Sequence, residues 1–523
     1  MVRRSCLLFI ALVTAWSTLS AVPASSMTAH SHAGSNPIVR ENLHRGTDRW
    51  DIPWPGYKIT DDRRLKIKGY ATDVSVLQGG SIDLRVTTQL REPYTVDVYR
   101  LGYYQGNGGR HIERLGPFAG APQPACVTLP YSGMVTCPWH NSLTLDVPAS
   151  WTSGVYLAVL TTQRTHFQNE IPFTVRDTRP ADILYDTPVN TYQAYNNFPC
   201  DPPVCKGWNS GAFPLTGRSL YDYNSPVAPA YPDGKPAFKV TFDRPYSSQY
   251  GNPGNGGLTD FEPYTIAFLE QRGYDISYTT DVDADAHPQT LLHHAIVLVS
   301  GHSEYWSKGM YDGAYAARDA GVSLFFIASN EIYWQVRYQD DAEGLSRRVV
   351  VGYKDFKPDP VKDPALRTIR WRDLGRPEQE LAGVQFPIDG NMDWGGQAFV
   401  PTHTGFWPFA GTGLKDGVAV PGELVGYEID AFDPSYPAPD AVWRVLLASS
   451  PFVNFLGNSY TQNTSIYKAR SGALVFATGS MDWAWALSPG GSSDGTVDNV
   501  RPALQRVVDN VLHRMLRIAA RRS

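Results

Sequence analysis

Val297-Leu298-Val299-Ser300-Gly301-His302-Ser303-Glu304-Tyr305-Trp306 changes character at its midpoint. The apolar run Ala295 to Val299 stops at Ser300 and Gly301, which is how a short buried strand ends. A His, a Ser, a Glu, a Tyr and a Trp then follow before helical spacing begins over Lys308 to Ala320. Chemistry, if the chain performs any, is expected here. The same pattern returns at Val322 to Ile327 (VSLFFI), which is followed by Ser329 to Trp334 (SNEIYW). Ala181 to Tyr185, Ala237 to Phe242 and Asp275 to Thr279 also read as strands, and Tyr264 to Arg272 reads as a helix. Near-continuous apolar strands alternating with helices predict an α/β fold over residues 178–523: a mostly parallel sheet flanked by helices. Ligands of such sheets sit at the carboxyl ends of the strands, where both polar clusters fall. One polar residue after a strand is more simply a helix cap. Two clusters on successive strand ends favour a cleft. The chain closes on a helix, Arg501 to Leu516, with Leu504, Val507, Val508, Val511 and Leu512 on one face.

Upstream the period changes to two. Ser81 to Val86, Tyr94 to Tyr99, Gly154 to Leu160 and Ile171 to Val175 form short runs separated by Gly and Pro clusters. Residues 65–177 are therefore expected to form a small antiparallel, Ig-like β-sandwich. It carries no acid, His or Cys constellation and reads as an accessory domain.

Residues 1–24 read as a secretory signal peptide, with Arg3 and Arg4 ahead of the apolar Leu7 to Val13 and a small-residue site at Val22-Pro23-Ala24. Residues 25–64 are polar and read as a linker. A secreted, extracellular protein is the expectation. Cleavage removes two Arg and no acid, taking the formal charge from −5 to −7. That balance argues against nucleic acid or an anionic membrane as partner. No later apolar run reaches the roughly 18 residues a membrane span needs. A homo-oligomer is compatible with the sequence. Of five cysteines, Cys6 leaves with the signal. Local disulfides Cys126 to Cys137 and Cys200 to Cys205 are expected in an oxidising compartment, although spacing alone does not choose among the three possible pairings.

Three chemistries suit the opening stretch. Gly301-His302-Ser303-Glu304 approaches a nucleophile elbow, with Ser303 as nucleophile, but Tyr305 stands where a Gly is needed. A His or carboxylate could act as general base alone. A metal could be held by oxygen ligands, Glu304 among them.

The chain also resembles the C-terminal domain of the large (beta) subunit of N,N-dimethylformamidase and its relatives. The matching stretches are Thr191 to Asn196 (TYQAYN), Gly217 to Tyr221 (GRSLY), the segment from Phe261 (FEPYTIAFLEQRGYDISYTTDVD), GHSEYW at Gly301, SNEIYWQVRY at Ser329 and Ala477 to Leu487 (ATGSMDWAWAL). Arg100 to Arg110 (RLGYYQGNGGR) resembles the domain preceding it in many relatives. The resemblance implies a glutamine amidotransferase-like α/β domain with a mononuclear ferric site, Fe(III), ligated by Tyr195, Tyr221 and Glu304. His302 and Asn330 would stand beside the metal, with Lys354 as a further candidate. It implies hydrolysis of an amide-like C–N bond in a small or extracellular substrate. Tyr192 and Tyr223 are neighbours that could be confused with the two ligands, and Asp482 is a further candidate for the cleft. Against this stand two alternatives, a non-catalytic exported surface or polysaccharide-binding protein and a serine hydrolase using Ser303. The resemblance departs at the signal peptide, since the dimethylformamide enzyme is intracellular and works with a small subunit.

Overall fold

The structure, a computed structural model, describes residues 36–199, 219–221, 236–248, 253–354, 357–387, 392–454, 456–493 and 495–522. The signal segment 1–24, the pairing Cys200–Cys205 and Tyr223 lie outside the described residues.

The N-terminal part is a pair of packed sheets. One joins Lys58–Ile59, Phe167–Arg176, Gly154–Thr162, Pro93–Leu101 and Gly109–Ala119 in that order, with Ser75–Leu77 also on Phe167–Arg176. The other joins Ile67–Ala71, Ser81–Thr88 and Leu143–Asp146. Alternate residues such as Leu84, Val86, Val96, Val98, Ala158 and Leu160 fill the space between the two sheets. Two short strands, Lys58–Ile59 and Ser75–Leu77, pair in parallel with Phe167–Arg176, so the module is not purely antiparallel. Cys126 and Cys137 are joined in a disulfide.

Past residue 178 the central sheet has seven strands: β1 (Ile183–Thr187), β2 (Ile276–Thr280), β3 (Ile296–Gly301), β4 (Ser323–Ala328), β5 (Ala441–Leu446), β6 (Ser465–Ala469) and β7 (Leu474–Ala477), ordered β2-β1-β3-β4-β7-β6-β5. Strands β2, β1, β3, β4 and β7 run parallel, whereas β6 and β5 add antiparallel pairings at one edge. Helices α1 (Val189–Tyr195), α2 (Leu258–Gln271), α3 (Lys308–Ala320) and α4 (Pro502–Ala519) accompany it. Side chains such as Leu298 and Val299 are buried on opposite faces of β3. Each contributes roughly 1.5–3 kcal/mol.

The expected class, a mostly parallel sheet flanked by helices, is overturned. Strand outweighs helix, 33% against 20%, and is dispersed over many short, largely antiparallel sheets. Ala237 to Phe242 was expected to join the parallel sheet. Its strand, Lys239–Thr241, instead lies in a separate four-stranded sheet with Val349–Val351, Trp334–Gln339 and Tyr305–Ser307. Further hairpins, Met392–Phe399 with Val420–Glu428 and Ser450–Val453 with Ser459–Gln462, are antiparallel. The reason lies in pattern. Buried parallel strands announce themselves as apolar runs, while half-exposed strands of mixed polarity after residue 333 resemble loops until their partners are known.

Candidate functional site

Strand β3 ends at Gly301, whose backbone is left-handed (φ 72°) and where a Cβ would press on Glu262 and Phe261 at 3.1 Å. Glycine relieves both constraints. The chain then turns inward, and His302, Ser303 and Glu304 are all buried. The Glu304 amide donates to Thr191 Oγ1 of α1 at 3.0 Å. The Ile332 amide donates to Ser303 O at 2.9 Å, as does that of Tyr333 to Glu304 O. These bonds lash the two polar clusters together. Asn330, Ile332 and Lys354 have positive φ (49°, 61° and 55°). For a β-branched residue such as Ile332 this costs roughly 1–3 kcal/mol, and strain of that kind gathers where surrounding packing dictates it.

Helix α1 ends on Tyr195, and the Leu220 amide donates to Ala194 O at 2.8 Å, which brings Tyr221 alongside. The two phenol rings are 4.4 Å apart between centroids. Tyr195 OH donates to Glu304 Oε2 at 2.7 Å and lies 3.1 Å from Tyr221 OH. Tyr221 OH donates to Glu304 Oε1. His302 Nε2 lies 3.2 Å from Glu304 Oε2 and 3.3 Å from Glu428 Oε2. Asn330 Nδ2 donates to Glu428 Oε2 at 2.9 Å and lies 3.3 Å from His302 Nε2. Lys354 Nζ sits 3.1 Å from the Tyr221 ring centroid and donates to Tyr305 OH at 3.0 Å. All six residues singled out in the sequence, Tyr195, Tyr221, His302, Glu304, Asn330 and Lys354, thus belong to one cluster.

Two other candidates separate from it. Ser303 Oγ accepts from Trp306 Nε1 at 2.8 Å and, among the described residues, makes no hydrogen bond with His302. Tyr192 is buried beside Glu262, which with burial raises its pKa well above the ordinary phenol range, and it takes no part in the Glu304 cluster.

Electrostatics tune the cluster. Burial, then the charges of Glu304 and neighbouring groups, raise Tyr195 and Tyr221 well above the ordinary phenol range. Burial works against the His302 cation, but Glu428 and Glu304 outweigh it and hold its pKa above the usual value. Burial likewise opposes the Glu304 carboxylate, yet His302, Lys354 and Tyr221 keep its pKa lowered. Glu428 is raised, by burial first and then by Glu304 and Asp430, although His302 and Asn330 pull the other way.

Glu428 escaped the sequence reading. It closes the strand Val420–Glu428 and is followed by Ile429 and Asp430, and Asp430 Oδ1 accepts from the Asn330 amide at 2.9 Å. The only signal was faint, two acids, Glu428 and Asp430, at the close of a strand broken by Gly422 and Gly426.

Three convergent oxygen atoms, a buried imidazole whose pKa is held above its usual value, and a second carboxylate define the class of site: one with the groups for proton transfer. The chain belongs to the family described as N,N-dimethylformamidase beta subunit-like, C-terminal, whose pattern matches residues 95–498. The match crosses from the N-terminal sheets into the central one, and it suggests a hydrolase-type function. No curated protein matches the chain. Among solved structures, the sulfur carrier protein SoxY from Chlorobium limicola f thiosulfatophilum is similar at 12% identity, covering 24% of this chain and 86% of its own, with a TM-score of 0.13, too slight a likeness to bear on fold or function. Among the described residues no helix is long and apolar enough to cross a membrane.

Proposed function

We propose that the protein is an exported hydrolase of amide-like C–N bonds that works with one ferric ion held by Tyr195, Tyr221 and Glu304. The observation that carries this reading is the meeting of both phenol oxygens with one carboxylate, 2.7 Å apart for Tyr195 and Glu304, from segments far apart in sequence. The donor set fits the ion: carboxylate and phenolate are hard oxygens, matched to a hard cation, and a trivalent charge would draw down the raised phenol pKa values. When bound, iron supplies Lewis acidity toward a carbonyl and makes water a better nucleophile near neutral pH.

The chain's own groups account for orientation and protons. Glu428, its pKa raised toward neutrality, takes the proton of the attacking water, since a base poised near working pH is effective. His302, its pKa held up by Glu428 and Glu304, returns a proton to the departing amine nitrogen. Asn330 holds Glu428 in register through its 2.9 Å bond. Lys354, over the Tyr221 ring, offsets the negative charge of the phenolate. His302, Glu304, Asn330, Lys354 and Glu428 are buried while Tyr195 and Tyr221 are partly exposed, which limits competing water without closing the site.

Metal analysis tests the reading. The purified protein should hold about one iron per chain, the stoichiometry of a single oxygen-donor site. It should also show visible phenolate charge-transfer colour and hydrolyse small formamides. Colour and iron should vanish together in Tyr221→Phe and Glu304→Ala. A colourless, metal-free protein of full activity would sink the proposal. Export is tested separately: a secreted product whose N-terminus follows Ala21 or Ala24 supports it, and retention of residues 1–24 in the cytoplasm refutes it.

A further inference from the structure

A second pocket, of about 190 Å³, lies away from the tyrosine–glutamate cluster. Its walls carry Lys468, Arg514, Arg517 and Arg521 with Trp407 and Trp443, over a floor of Leu474 and Ile518. The register explains the arrangement. Trp443 of β5 pairs with Lys468 of β6, and Lys468 pairs with Leu474 of β7, so the three form a row across neighbouring strands. Arg514, Arg517, Ile518 and Arg521 follow at helical spacing along α4 and its exit, one face of a helix. Leu474 is at the start of β7, one residue ahead of the pairing of Val475 with Leu324, so the pocket is at the end of the parallel strands opposite His302 and Asn330.

Four cations and no acid line this pocket, in a chain of net charge −5. Among the described residues none of the four forms an ion pair with a carboxylate, whereas Arg470 next door is paired with Asp440. Cations on the last turn of a helix complement its dipole, which explains Arg517. That account does not reach Lys468, which is on a strand, or the two indoles. Trp407 and Trp443 are both only partly buried, and both pack on Phe406, with centroids 5.8 and 5.4 Å away. Arg514 is 5.5 Å from the Trp407 ring. Asn510 of α4 donates to Pro408 O and Ala410 O at 2.8 and 2.9 Å, which ties the Trp407 segment to the helix. The pocket is therefore built on packed elements.

We propose that this pocket binds a sugar ring bearing an anionic group, carboxylate or sulfate, of a glycan, an extracellular one if the export proposed above holds. Indole faces suit the apolar C–H face of a sugar, and guanidinium forks suit a planar carboxylate or a sulfate. Such a site would hold the protein on a polyanionic matrix while the cluster at the other end of the strands faces its substrate.

Calorimetric titration of the full chain with a galacturonate oligomer, a sulfated glycan oligomer, a neutral oligomer of equal length and inorganic sulfate tests this. Binding of either acidic oligomer, weakened at least ten-fold in Arg517→Ala/Arg521→Ala and several-fold in Trp443→Ala with circular dichroism unchanged, supports the site, and the oligomer that binds identifies the anionic group. Silence with both acidic oligomers, equal affinity for the neutral oligomer or inorganic sulfate, or undiminished binding in the double variant overturns it. Iron content should be unaffected by these substitutions, so this result and that of the proposed function are read independently.

Discussion

Two buried charged clusters in this molecule have opposite characters. In one, Arg100 and Glu270, both with fully buried side chains, face each other through two bonds of 2.7 and 3.1 Å. Asn42, Tyr104, Tyr278 and the carbonyls of Leu101 and Ser153 complete the set. Burial opposes the Arg100 charge, but Glu270 holds it firmly protonated. One cation meets one anion, and the pair ties a sandwich strand to α2. In the other cluster, Glu304 and Glu428 share His302, two phenols crowd Glu304, and Asp430 stands behind Asn330. A balanced pair inside a hydrogen-bonded frame is architecture. In the second cluster several groups share one carboxylate, with His302 and Lys354 offsetting its charge and two phenols donating to it.

The sharpest way to break the comparison is to remove one member from each cluster. Glu304→Ala should lower hydrolytic activity about 10³-fold, as for loss of one preorganised electrostatic group, with iron lost and the unfolding midpoint of the metal-free protein little changed. Glu270→Ala should do the reverse. Leaving Arg100 buried without its partner should cost about 3–5 kcal/mol in denaturant unfolding, with the iron-to-protein ratio of the folded fraction retained. A stable Glu270→Ala protein would show that the first cluster is not architectural.

A further buried acid tests linkage. Glu170 is raised to about 8 by burial, against a 2.9 Å bond from Asn255 and with Asp51 adding to the rise. Its folded pKa exceeds the unfolded one, so the native state holds the extra proton between about 4.5 and 8 and stability falls as pH rises through that window. Glu170→Gln should flatten that decline by on the order of a few kcal/mol, measured as unfolding free energy at pH 5 and pH 8.5. An unaltered slope would show that the carboxylate is solvated. Replacing Cys126 and Cys137 by Ser should cost about 3 kcal/mol, as for a short closed loop, without touching iron content. The smallest effect is expected for Ser303→Ala, which removes an acceptor from Trp306 and should leave activity within about three-fold, the scale of a neutral hydrogen bond. A collapse of activity with iron intact would revive Ser303 as nucleophile.

Much of the site was legible. The polar residues that close β3 and β4 stood out because two clusters, His-Ser-Glu and Asn-Glu, end successive apolar strands, and family motifs pointed to Tyr195 and Tyr221. Glu428 was not legible, because its strand is glycine-broken and half exposed, and its acids resemble a surface turn until Asn330 and His302 are seen against them. The apolar runs of β1 to β4 were read correctly as strands, but the class drawn from them was not. The later strands carry mixed faces, and only their partners make them sheet.

Local chemistry in the chain determined where strands stop, where glycine must stand, and which residues could bind or transfer protons. Only the tertiary structure decided that Tyr195, Tyr221 and Glu304, spread over more than a hundred residues, share one point, and that Lys468 and the arginines of α4 face the same pocket. The physical reason is that burial energy is set by long-range packing. Sequence periodicity states which face of a segment is buried but not against what, and sites such as these are made from what meets there.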